Sequence, residues 1–268
     1  MRIAITMCHG LSGEGNTPLS RDHLDRLMGI AAEMGFRSIT YDDLAAWRAG
    51  AITLPPRPMM IDVDHPAKSV RHGVMEALDR YGFHGNLFIN TGPLEDMYKS
   101  PLRTLREREF MTWEEIGELV EAGWRIGAHT HTHPDLSALS AEDSNGEKLR
   151  AELEKNDEML EANLGVRPKD FAFTGTSWSS TAEKEVKKRY RFGRLWIVGP
   201  TYKADGKDVR YAELVAVPGN DEADGGPPHA ARYITRGTDA YRLPSMEIQA
   251  LIYAPEAFRA YLRGALLE

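Results

Sequence analysis

The chain has a single cysteine, Cys8, in 268 residues, and that scarcity removes two constructions at once. No intrachain disulfide can form and no zinc site can be built from several thiolates, so a metal centre would have to draw on histidine and carboxylate. Also missing is any apolar run of the length that crosses a bilayer, about 20 residues. The opening apolar stretch is broken by His9 and Gly10 too early to be the core of a secretory leader, so the expected compartment is cytoplasmic. There is no excess of positive charge. Lys and Arg number 33 against 40 Asp and Glu, a net charge of −7, which disfavours nucleic acid and anionic membrane surfaces as partners and excludes no small substrate or glycan. No Gly-x-Ser-x-Gly elbow occurs and Cys8 lies in an apolar strand pattern, which sets aside a serine or cysteine hydrolase. Internal repeats and low-complexity tracts are lacking too. The composition, 42% hydrophobic and 27% charged, is that of a globular protein with a sizeable core, and one catalytic domain over residues 1–268 is expected.

What is present is a rhythm of strand and helix. Residues 2–7 read as a short strand ending in a His-Gly turn, and residues 20–34 combine an N-cap serine with helical apolar spacing. Further strands are expected at 36–40, 57–63, 86–90, 124–128, 171–174, 192–198 and 213–217. Helices are expected at 69–81, at 112–122 where Thr112 and Glu115 form a capping box, at 141–164 ending on Gly165, at 182–190 and at 255–267. Residues 218–228, rich in Gly, Pro and Asp, read as a surface loop. This alternation specifies an α/β fold, a parallel sheet wrapped by helices and closed or nearly closed into a barrel.

The chemistry gathers at strand ends. Asp62 and Asp64 terminate the apolar run Met59-Met60-Ile61-Asp62-Val63-Asp64-His65, at the edge where sites form in barrels and open α/β sheets. Residues i and i+2 of a strand face the same way, so two carboxylates there repel unless a cation or a proton lies between them. A second cluster, His129, His131 and His133, follows the strand at 124–128, a density that suits neutral imidazoles around a divalent ion. Taken singly, turn carboxylates and surface histidines are the commoner reading; the two clusters together favour a metal.

These residues resemble the polysaccharide deacetylases of the NodB-homology, carbohydrate esterase family 4 type, almost from end to end. Residues 126–136 are similar to the family's His-Thr-x-Thr-His-Pro-x-Leu motif, and 60–65 to its Asp-Asp motif, spread out here as Asp-Val-Asp. The segment from Glu76 to Gly82 and on through Leu87-Phe88-Ile89-Asn90 resembles the helix and strand that follow that motif. The opening Ile3 to Gly10 is similar to the Met-Tyr-His-Gly start of a subgroup with circularly permuted strand order. The resemblance implies a distorted, closed or incomplete (β/α) barrel. It implies a divalent ion at Asp64, His129 and His133, Zn²⁺ first with Co²⁺, Ni²⁺, Mn²⁺ or Fe²⁺ as alternatives. It carries the general-base role onto Asp62 and the general-acid role onto His9. His131 falls on the variable position of its motif, and spacing leaves His65 and His131 open as additional ligands, groove residues or neither.

One departure stands out. Residues 171–176 occupy the place of an Arg-containing segment in relatives, with Ala172 where the Arg that tunes the catalytic Asp is expected, while the backbone N–H of Gly175 is left to face an oxyanion. His131, Trp178 and Trp196 are candidates for lining a sugar groove, aromatic faces being suited to stacking on sugar rings. The expected activity is hydrolysis of an N-linked acyl group, acetyl first, on a sugar or sugar precursor of surface-polysaccharide synthesis such as O-antigen or cell wall, with an acylated amino sugar as partner. Two alternatives stay open: a glycan-binding module that has lost the reaction, suggested by the absent Arg, and a hydrolase of a non-sugar amide.

Overall fold

In the computed structural model, which describes residues 1–13, 17–95, 109–143 and 145–267, seven short strands form the frame. They are β1 (Ile3–Cys8), β2 (Pro58–Asp64), β3 (Asn86–Ile89), β4 (Arg125–Ala128), β5 (Asp170–Ala172), β6 (Phe192–Ile197) and β7 (Leu243–Glu247). Each pairs in parallel with the next in chain order, β7 pairs with β1, and the β1–β2 pairing closes the ring. The barrel is therefore complete. Short strands add to its outside, Arg37–Ser38 parallel to β2 and Tyr233–Ile234 antiparallel to β1.

Strand parity decides what each side chain meets. On β2 every residue is buried: Met59, Ile61 and Val63 face the helices, while Met60 joins an interior cluster with Ile3, Ile5, Phe88, Ala172 and Leu243. The helix Tyr41–Arg48 contributes Tyr41, Leu44 and Trp47 to that same interior. Asp62 and Asp64 share the parity of Met60 and so belong to the barrel interior, one above the other toward the C-terminal mouth.

The caps read from the sequence are in place. Ser20 accepts from the His23 N–H at the start of Arg21–Glu33, and Thr112 and Glu115 form the capping box of Trp113–Glu121. Two expectations are corrected, and one strand was missed. The helix expected at 141–164 is two, Leu136–Glu142 and Glu147–Leu164, because Gly146 takes a left-handed conformation (φ 71) and the Asp143 carboxylate accepts the Leu149 N–H at 3.0 Å. The strand expected at 213–217 is instead the tail of a short helix, Tyr211–Leu214. The strand that completes the barrel, β7, was not legible: its Leu-Pro-Ser-Met-Glu sequence has a proline in its second position, which argues against a central strand. It is tolerated because the pairing of β7 with β1 starts only at Met246.

Candidate active site

Because all seven strands run the same way, the segments leaving their C-terminal ends converge on one face. Two of them, the turn after β2 with His65 and the turn after β4 with His129 and His133, bring the three histidines together, with one potential ligand atom from each lying within 4.8 Å of the others. The ring centroids are 5.2 Å (His65–His129), 4.9 Å (His65–His133) and 4.7 Å (His129–His133) apart. The backbone is strained to achieve this. Five non-glycine described residues have positive φ, and His65 (69°), Thr130 (64°) and His133 (62°) are three of them. Such conformations persist where the surroundings over-determine them, as at functional sites.

The imidazoles are oriented from behind. His65 Nδ1 bonds Asn90 Oδ1 at 2.8 Å, and His129 Nδ1 bonds the Ala172 carbonyl at 2.8 Å, leaving both Nε2 atoms for the cluster. Burial, then the neighbouring histidines, pushes His65 well below the usual histidine range. Burial, then His133 and Arg194, does the same to His129. Burial pushes His133 down to about 4 despite the opposing pull of Asp64. Three buried imidazoles, those of His65 and His129 fixed from behind, are a donor set that fits a divalent transition ion.

Below them lies a carboxylate pair with its own cation. Arg194 on β6 is fully buried, its guanidinium 4.9 Å from the centre of the Phe88 ring. Its Nη2 donates to Asp64 Oδ1, and its Nε lies 3.5 Å from Asp62 Oδ2. Burial alone would lower the guanidinium; Asp64 and Asp62 instead hold it above its ordinary value. Asp62 accepts from Tyr41 OH at 2.8 Å and from Asn86 Nδ2 at 3.1 Å, and is completely buried. Burial raises its carboxyl to about 7, against the opposing effects of Arg194 and these two bonds. Asp64 turns its second oxygen toward the histidines, 3.7 Å from His129 Nε2.

Arg194 corrects the sequence reading twice. The repulsion expected between Asp62 and Asp64 is met by a guanidinium within the protein. The arginine expected in the place of Ala172 has moved one strand over: Ala172 and Arg194 are register partners of β5 and β6. The signal was present as a lone charge inside the apolar strand Phe-Gly-Arg-Leu-Trp-Ile. The sequence could not indicate which carboxylates it would meet.

His9 follows β1 and stacks on His65 at 5.3 Å. Its Nδ1 lies 3.3 Å from Glu247 Oε2, an oxygen that also accepts the Trp196 indole N–H at 2.8 Å. Trp196 stands half-buried with its ring edge-on to His9 at 4.9 Å. Glu247 ends β7, the strand missed in the sequence, and was missed with it. Gly175 follows β5 with φ 59 and open space beside its Cα. His131 lies outside the three-histidine group: its Nδ1 bonds Thr91 Oγ1 at 2.9 Å and its Nε2 lies 3.3 Å from Glu95. Trp178 is a correction. It is 6% exposed, its indole N–H is taken by Glu183 at 2.9 Å and Arg242 lies over its ring at 4.8 Å, so it offers no face to a sugar.

The family model of the polysaccharide deacetylases matches residues 51–190, just over half of the chain and spanning both the Asp-Val-Asp and the histidine segments. The chain belongs to the polysaccharide deacetylase family. No curated protein matches it significantly. Among solved structures it is similar to the Streptococcus pyogenes deacetylase PplD (TM-score 0.70, 13% identity, 98% of each chain covered). It is also similar to IcaB from Ammonifex degensii (0.66, 15%, 99% of this chain and 97% of that one), and to the BpsB deacetylase domain from Bordetella bronchiseptica (0.66, 14%, 92% and 95%). At these identities the likeness carries the (β/α) barrel fold. Deacetylases of this family are metal-dependent, and the three histidines are where this member can hold an ion. Among the described residues no helix is long and apolar enough to cross a membrane.

Proposed function

We propose that this deacetylase-family chain is a metal-dependent hydrolase that removes an N-linked acyl group, acetyl first, from an amino sugar or amino-sugar precursor of surface-polysaccharide synthesis. The observation that carries the reading is the convergence, at one barrel mouth, of three buried histidines, two of them oriented from behind, an arginine-held carboxylate and a carboxylate-held histidine. A divalent ion, Zn²⁺ first, would be held by His129 and His133 with a third ligand from the Asp64-His65 strand end, and would supply Lewis acidity toward the amide carbonyl and lower the pKa of water.

The chain's own groups account for the proton movements. A carboxylate of the Asp62/Asp64 pair takes a proton from water as its oxygen forms the new C–O bond. The Gly175 N–H faces the developing oxyanion, where the open space beside this glycine admits the acyl group. His9, oriented through Nδ1 by Glu247, delivers a proton to the nitrogen as the C–N bond breaks, leaving an amine and a carboxylate. Trp196, beside His9, is placed to flank the sugar. PplD was solved with acetate, the product such a reaction would release. Arg194 restores the guanidinium whose apparent absence favoured a binding module that had lost the reaction.

The test is acetate release from a panel of N-acetylated sugars, nucleotide sugars and oligosaccharides, using protein stripped by chelation and then reloaded with Zn²⁺. Acetate that appears only after reloading supports the reading, and the panel narrows the substrate. Stoichiometric metal with no turnover on any member would replace it with the glycan-binding alternative.

A further inference from the structure

We propose that the third metal ligand is His65 rather than Asp64, giving an all-histidine site of His65, His129 and His133, and that Asp64 is the general base, with Arg194 as its positioning residue. This deepens the functional reading above and rests on it for the presence of a metal.

Three observations and one chemical requirement carry it. The group whose ligand atoms come within 4.8 Å of one another consists of the three histidines. The backbone of His65 takes a left-handed conformation that a histidine rarely adopts, which turns its ring toward the other two. Asn90 fixes the His65 Nδ1 from the end of the neighbouring strand, as Ala172 fixes that of His129. Metal-bound imidazoles characteristically have their second nitrogen held in this way. Three protein ligands leave positions open for water and substrate, as a hydrolytic site requires, whereas a fourth from Asp64 would close the tetrahedron.

The carboxylates divide accordingly. Asp64 has one oxygen held by Arg194 and presents the other beside the histidines, where a proton from water would go. Asp62 lies two residues deeper on the strand. Its oxygens are occupied by Tyr41 and Asn86, it has no exposed surface, and it faces Arg194 rather than the mouth. It therefore anchors the guanidinium that aims Asp64, and the base role that the family motif placed on Asp62 passes one step along the strand. The same shift makes His65 occupy the place of the second acidic residue of that motif.

The experiment compares wild type with His65→Asn, Asp64→Asn and Asp62→Asn; asparagine tolerates the positive φ at residue 65. Zn²⁺ affinity, the visible spectrum of the Co²⁺-loaded protein and hydrolysis of p-nitrophenyl acetate are recorded for each. His65→Asn should lose at least a hundredfold in Zn²⁺ affinity. Asp64→Asn should hold Zn²⁺ within tenfold of wild type, keep the Co²⁺ spectrum and lose at least a hundredfold in turnover, and Asp62→Asn should keep both metal and measurable turnover. X-ray absorption on Zn²⁺-loaded wild type, which needs no variant to fold, should count three imidazoles. Two imidazoles, or loss of metal in Asp64→Asn with retention in His65→Asn, would overturn the ligand assignment. Loss of turnover in Asp62→Asn with full turnover in Asp64→Asn would overturn the base assignment. Failure of wild type to bind any transition metal would instead refute the underlying functional reading.

Discussion

At the scale of single residues, the site is built from side chains whose roles are set by their partners. His9 is a strand-end histidine with no signature of its own until Glu247 is placed against its Nδ1. A carboxylate there fixes which nitrogen faces the substrate. Glu247→Gln keeps an oxygen for the Trp196 indole but removes the charge. It should lower kcat about tenfold or more, within the range that general acid catalysis supplies, with KM little changed; steady-state acetate release measures both. A large rise in KM at unchanged kcat would instead make Glu247 a substrate contact.

At the scale of elements, the long helix Glu147–Leu164 holds the turns that carry the histidines. Its fully buried Asn156 donates through Nδ2 to the carbonyls of Ile89 (2.8 Å) and Thr130 (2.6 Å), tying the end of β3 to the strained turn between His129 and His133. Glu152, one turn earlier, accepts the N–H groups of His131 (3.0 Å) and Thr132 (2.7 Å) from the same turn. Asn156→Ala would strand buried carbonyls at about 1–3 kcal/mol. We expect a Tm lower by several degrees and a weaker Zn²⁺ affinity, measured by thermal unfolding and by metal titration, because Thr130 loses the bond that holds its left-handed backbone. An unchanged metal affinity beside a lowered Tm would confine Asn156 to a structural role. At this scale the sequence was legible at the caps Ser20, Thr112 and Gly165, but not at Thr40, whose capping box with Asp43 opens the unexpected helix Tyr41–Arg48. It misled where chain reversal depended on one glycine, as at Gly146, and where a strand owed its existence to its neighbours, as β7 does.

At the scale of the whole molecule, the ligands come from two separate parts of the chain and meet only in the folded barrel, so metal binding and folding are linked. A ligand that binds the folded state alone, present at about a hundred times its Kd, stabilises by about 2.7 kcal/mol. For a chain of this size that corresponds to a Tm rise of about 5–10 °C. Saturating Zn²⁺ should produce it in wild type, a chelator should reverse it, and His129→Ala should abolish it, as read by calorimetry; an equal rise in the variant would place the stabilising ion elsewhere. The amino-acid sequence alone determined the βα alternation, the placing of Asp62, Asp64 and the histidine turn at strand ends, and the family, because apolar periodicity and short motifs are local properties of the chain. Only the tertiary structure decided that the barrel closes through β7, that Arg194 answers the carboxylates across from Ala172, that Glu247 holds His9 and that His65 joins His129 and His133. Each of these is a contact between residues far apart in sequence, created by register and by the direction in which a strained backbone turns a side chain, and neither register nor direction is written in any one segment.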